Sequence, residues 1–259
     1  MKRIAFKQLF LLLAMALVFS ANVDAKKKKT SNIPSNLTGK AREIYNAAQK
    51  GDADAQLELG FYYQEGEEGA PKDQQKAIYW YKKAAEKGNV IAQFNMGEIY
   101  DSGNGVKQDF AKAASWYLKA AKQGDALAQC AVGNCYFHNQ GFALDYNQAA
   151  YWFRKSAMQG NAVGQRCLGI CYDEGKGVSK DPKIAIEWYE KAAAQGDAVA
   201  MFNLGMSYFN GEGVKKDRKK AIELFKNAAQ IDGNVLNDFR KAAANGDKDA
   251  KKILKELEK

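Results

Sequence analysis

At 259 residues, with 46% apolar and 27% charged side chains, the chain can bury a sizeable interior and is neither disordered nor collagen-like in composition. Its formal net charge of +9 rests on basic residues interleaved with acidic ones, which argues against nucleic acid as a partner. One histidine, His138, excludes a multi-histidine metal site and leaves few groups for acid–base work at neutral pH.

The first predicted element is an export signal. Lys2 and Arg3 precede an apolar run from Leu9 to Phe19. A membrane-spanning helix needs roughly 20 residues, so this shorter run reads as the apolar region of a secretory signal. Val23 and Ala25 place cleavage after Ala25, with an uncleaved anchor as the competing reading. No cysteine stands near the cut, which argues against a lipid anchor there. Losing residues 1–25 removes three cations and one carboxylate and lowers the net charge from +9 to +7. Lys26, Lys27, Lys28 and Lys29 then open a polar stretch, residues 26–40, read as a flexible tether. These lysines suit weak contact with an anionic envelope surface, at about 1 kcal/mol each, or simply a solvated leader. The expected location is periplasmic or secreted.

From residue 41 to residue 259 the pattern is periodic. Trp80-Tyr81, Trp116-Tyr117, Trp152-Phe153, Trp188-Tyr189 and Leu224-Phe225 recur every 36 residues, as do Gly88, Gly124, Gly160 and Gly196. Gly51 precedes Gly88 by 37 residues, because the loop from Gly66 to Asp73 has one residue more. A fixed period in this range marks stacked helix pairs that cannot bury their apolar faces alone. The units fall at about 52–88, 89–124, 125–160, 161–196 and 197–230, behind a cap ending near 51 and ahead of a C-terminal cap at 231–259.

Each unit contains two helical patterns. The first repeats Ala55, Leu59, Gly60 and Tyr63 through to Ala200, Leu204, Gly205 and Tyr208, a spacing that puts all four on one helical face. The second repeats Ala77, Trp80, Tyr81, Ala84 and Ala85, an amphipathic stripe. Asp or Asn at 52, 89, 125, 161 and 197 is expected to cap the first helices, and Asp109, Asp145, Asp181 and Asp217 the second. Pro182 suits the first turn after Asp181. Gly60, Gly97, Gly133, Gly169 and Gly205 each cost about 1 kcal/mol in a helix interior, so a close approach by a large aromatic of the partner helix is expected at each.

These residues closely resemble the Sel-one-like repeat family, a branch of the tetratricopeptide-like helical solenoids. The pattern A-x-x-x-L-G-x-x-Y, G-x-G-V-x-x-D, K-A-x-x-W-Y-x-K-A-A-x-x-G-D/N recurs from about residue 52 to residue 230. Asn139 and Phe142 depart from it in the third loop, and Gly164 in the fourth unit. The resemblance implies an all-α, right-handed α-solenoid of about five 36-residue helix-turn-helix repeats with degenerate caps. It also implies a monomeric, non-catalytic scaffold that binds a protein or peptide without a cofactor. If packing follows the tetratricopeptide pattern, the concave face is lined by Leu57, Phe94, Cys130, Arg166 and Phe202, then Phe61, Glu98, Asn134, Ile170 and Met206, then Gln64, Asp101, Phe137, Asp173 and Phe209. Packing of these residues against neighbouring units is the competing reading. Some cysteine-rich relatives are credited with penicillin binding or β-lactamase activity, which makes a cell-wall or β-lactam hydrolase the alternative function; a plain structural spacer is a third.

The sequence offers little to support catalysis. It has no S-x-x-K, no G-x-S-x-G and no G-x-x-x-x-G-K-S/T. Cys130, Cys135, Cys167 and Cys171 fall in the first helices of adjacent units. Cys167 and Cys171 share one helix at i, i+4, and Cys135 and Cys171 hold equivalent positions one unit apart, neither an obvious bridging geometry. The expectation is buried free thiols, with disulfides left open.

Overall fold

A computed structural model describes residues 33–258 of the chain. Among them thirteen helices and no strand occur: α1 (Gly39–Lys50), α2 (Ala53–Glu65), α3 (Gln74–Glu86), α4 (Val90–Ser102), α5 (Phe110–Lys122), α6 (Ala126–Phe137), α7 (Tyr146–Met158), α8 (Ala162–Glu174), α9 (Pro182–Ala193), α10 (Ala198–Asn210), α11 (Arg218–Ile231), α12 (Asn234–Ala244) and α13 (Lys248–Leu257). Even-numbered helices α2 to α10 are the first helices of the five repeats, and α3 to α11 their partners. Each packs chiefly on its neighbours in the chain, the arrangement of an α-solenoid. No helix among the described residues is long and apolar enough to cross a membrane.

The mid-helix glycines pack as the period predicts. Gly60, Gly97, Gly133, Gly169 and Gly205 lie against the rings of Tyr81, Tyr117, Phe153, Tyr189 and Phe225. A Cβ at Gly133 would come within 2.5 Å of Phe153 Cδ1. All five rings are buried. Burying one gains on the order of 4–6 kcal/mol as an upper bound, more than the glycine costs.

Both sets of predicted caps form. Asp125 accepts the Ala128 N–H at 2.7 Å at the start of α6, and Asp109 accepts the Lys112 N–H at 3.0 Å at the start of α5. Pro182 takes the first position of α9 behind Asp181. Their electrostatics differ. The backbone N–H groups of Lys76 and Lys112 hold the carboxyls of Asp73 and Asp109 below the ordinary range, whereas burial pushes Asp125 up. In the loop after α8, Gly177 has φ +73°, and a Cβ there would strike the Tyr146 carbonyl of the preceding unit. The glycine therefore serves both its own turn and the seam between units.

A ladder of carboxamides runs through the same seams. Gln56, Gln93, Gln129 and Gln165 are buried in the first helices. Each donates to a carbonyl of the preceding second helix: Ala48, Ala85, Ala121 and Ala157, at 2.9, 3.1, 3.3 and 3.3 Å. The carboxamides of Gln123, Gln159 and Gln195 then donate to Oε1 of Gln93, Gln129 and Gln165, each at 2.8 Å. At Gln56 the chain breaks, because Lys87 stands where the next glutamine would be, and Gln56 Oε1 is buried without a partner.

The ends depart from the repeat. Of the stretch read as a tether, residues 33–40 are described: Leu37 is fully buried, the Thr38 N–H donates to the Gly69 carbonyl at 2.9 Å, and α1 already begins at Gly39. The signal at 1–25 and the lysines 26–29 lie outside the described residues. At the C-terminus, Phe225, Phe239 and Ile253 close one apolar cluster over α9 to α13.

Candidate functional site

The residues expected on the binding face are distributed unevenly. Leu57 and Phe209 are buried, whereas Phe61, Phe94, Phe202 and Met206 are half-buried. Phe94 packs on Tyr117 with ring centroids 5.6 Å apart, and Phe202 packs at 5.6 Å on both Phe225 and Phe239. These rings prop the aromatics that fill the glycine gaps. Glu98 is exposed, yet it accepts the Tyr117 hydroxyl at 2.6 Å.

Four of the expected residues come together. Asn134 and Phe137 on α6 and Arg166 and Ile170 on α8 line one cleft of about 360 Å³ with His138, Phe153, Val163, Cys167 and Glu174. The repeat puts them there: α6 and α8 are first helices of consecutive units and touch directly. Phe137 stands edge-on to Tyr146 at 5.2 Å and tilts over Phe153 at 6.1 Å, which makes an aromatic floor. Lys176, paired with Glu174 at 2.6 Å, stands 4.8 Å from the Phe137 ring centre and charges one edge.

Arg166 holds the other edge. Its Nε donates to Asp197 Oδ2 at 3.1 Å, while Asp197 Oδ1 caps α10 through the Ala200 N–H at 2.8 Å. One carboxylate thus fixes the next helix and aims a guanidinium at the cleft wall. The ion pair is mostly shielded, with side-chain exposures of 21% and 11%. An apolar floor between two cationic edges, with the Asn134 carboxamide in the lining, suits a peptide with a large apolar side chain.

All four cysteines are buried. The closest coupling is one the sequence comparison did not consider: Cys130 of α6 and Cys167 of α8 share one apolar cluster and their thiols interact directly. Their spacing of 37 residues, one more than the period, hid this neighbour relation. Among the described residues no group of three or more His, Cys, Asp or Glu side chains is placed to hold a metal.

Comparison with known proteins gives a consistent picture. Residues 53–89, 90–125, 126–161, 162–197 and 198–232 each match the Sel1 repeat. A Sel1 repeat protein from Oxalobacter formigenes superposes with a TM-score of 0.71 at 28% identity, over 84% of this chain and 95% of that one. A protective antigen of uropathogenic Escherichia coli with the same fold gives 0.61 at 31% identity, over 83% of this chain and 58% of that one. An Arabidopsis thaliana component of an ERAD-associated E3 ubiquitin-protein ligase, HRD3A, is 41% identical over 58 residues. That match spans 22% of this chain and only 9% of the plant protein.

Proposed function

We propose, from the premise that this chain belongs to the Sel1 repeat family, that it is an exported scaffold whose repeats hold a peptide segment of a protein partner. Sel1 repeats mediate protein–protein interaction, and the plant relative is by its name a component of an E3 ubiquitin-protein ligase. The α6–α8 cleft carries the finer reading. It is the place where Asn134, Phe137, Arg166 and Ile170 converge on an aromatic floor. On this reading Phe61, Glu98 and Met206, on other first helices, would add contacts beyond the cleft, with Phe94 holding Tyr117 in place. The chemistry required is binding, without turnover: an apolar side chain enters over Phe137 and Phe153, and the peptide backbone pairs with Asn134.

Export rests on Lys2, Arg3 and the apolar run to Phe19, with cleavage after Ala25. N-terminal sequencing of the secreted chain tests it, and a product that starts at Lys26 is expected.

Selection from a displayed peptide library, followed by calorimetric titration of the enriched peptide, tests the cleft. Phe137→Ala is expected to weaken binding at least about tenfold, as loss of a central aromatic does. Equal affinity for the variant, or no enriched peptide, would remove the cleft from consideration.

A further inference from the structure

The α6–α8 cleft has a chemically reactive wall that peptide binding does not use. Cys167 lines it. Cys130, on the facing helix α6, belongs to the same apolar cluster, and the two thiols interact directly. The other two thiols are placed differently. Cys135 lies in the neighbouring cluster, and Cys171, one turn along α8, is fully buried and does not line the cleft.

We propose that Cys167 and Cys130 form a thiol–disulfide exchange site opening on the cleft, with Cys167 as the attacking thiol, Cys130 as the resolving thiol, and a small disulfide as the oxidant. The Cys167 thiolate attacks one sulfur of the oxidant, whose other sulfur leaves as a thiolate. Cys130 gives up its proton, attacks Cys167 Sγ and expels the second thiolate. Two cysteine thiols are oxidised by two electrons, the oxidant is reduced to two thiols, and the two cysteine protons pass to them. The product ties α6 to α8, the two walls of the cleft.

The roles follow from the surroundings. Cys167 lines the cleft beside Arg166, whose guanidinium favours its thiolate, whereas Cys130 does not line the cleft and can reach the oxidant only through Cys167. Burial instead pushes Cys135 and Cys171 each up to about 12, which leaves them almost no thiolate. Modification of a thiol follows its thiolate character and its access, and Cys167 leads on both.

The experiment treats the reduced, folded full chain with oxidised glutathione and follows intact mass and non-reducing peptide maps. The expected product is lighter by two hydrogens, with Cys130 joined to Cys167. Cys130→Ser is expected to stop at a stable glutathione adduct on Cys167, while Cys135→Ser behaves as the parent chain. In the parent, Cys167 is expected to react with a small alkylating agent at least about tenfold faster than Cys135 or Cys171. A circular dichroism melt of each variant separates lost reactivity from lost fold. A bridge from Cys167 to Cys171, first modification at Cys135 or Cys171, or thiols that react only after denaturant is added would each overturn the assignment.

Discussion

Gly133 lies under the Phe153 ring, so close that a Cβ on the glycine would stand 2.5 Å from ring carbons Cδ1 and Cε1. Phe153 is itself 2% exposed and cannot swing away. Alanine at 133 would gain about 1 kcal/mol of helix propensity but meet an overpacking cost of about 1–3 kcal/mol. Gly133→Ala is therefore expected to lower stability by about 1 kcal/mol, and Gly133→Leu by considerably more. Urea midpoints measure both, and an unchanged midpoint for the leucine variant would contradict the packing.

Lys87 leaves Gln56 with a buried, unpartnered carbonyl oxygen where three later units have a glutamine pair. Lys87→Gln would supply the missing donor. The expected gain is about 1 kcal/mol, a rise in melting temperature of about 2–4 °C for a chain of this size. A calorimetric scan showing no rise would mean that the orphan oxygen costs nothing.

Phe202 and Phe137 separate support from recognition. The half-buried Phe202 ring meets two buried rings, Phe225 and Phe239, so Phe202→Ala is expected to cost about 2–4 kcal/mol and to weaken binding chiefly through lost stability. Phe137 is half-buried at the cleft floor, and its truncation is expected to cost about 1–2 kcal/mol. Denaturation curves run beside peptide titration distinguish the two variants, and the reverse order of stability losses would contradict this division.

Acid should act oppositely on two caps of similar geometry. Asp109 titrates below its unfolded value, so its stabilising contribution is complete above about pH 4 and is lost as pH falls through the folded value. Asp125 titrates above its unfolded value, so its contribution is present below about pH 4 and is lost as pH rises through the folded value. Asp109→Asn is thus expected to destabilise more near pH 6 than near pH 3, whereas Asp125→Asn gains relative to the parent as pH rises. Denaturant midpoints at those two pH values give the signs, and parallel behaviour of the variants would refute them.

The repeat was legible because its strongest signals are steric and local. Glycine under an aromatic, Asp before a helix and a Trp-Tyr pair every 36 residues all act within one unit. The binding face was legible only in part, since the sequence leaves Phe94 and Phe202 open between a groove and packing against neighbouring units. Their orientation depends on Tyr117, Phe225 and Phe239, and in Phe202's case on a ring outside its own repeat. Polar side chains on a helix suggest solvent, so the buried glutamines are not evident from residue type. Their signal was present in the exact recurrence of Gln93, Gln129 and Gln165, and of Gln123, Gln159 and Gln195. Comparing equivalent positions does not find the Cys130–Cys167 contact, because neighbouring helices also bring together residues one place out of step.

The carboxamide ladder stops before the last repeat, where Met201 and Ile231 occupy the positions that glutamines hold in earlier units. Up to α9, loosening any one hairpin strands a polar group in its neighbour, so these units should open together. Past α9 that mutual obligation lapses, and α10 to α13 can peel away without leaving an orphaned amide behind. Amide protons of the final helices should therefore exchange ahead of the rest, and a protease should trim the chain from that end.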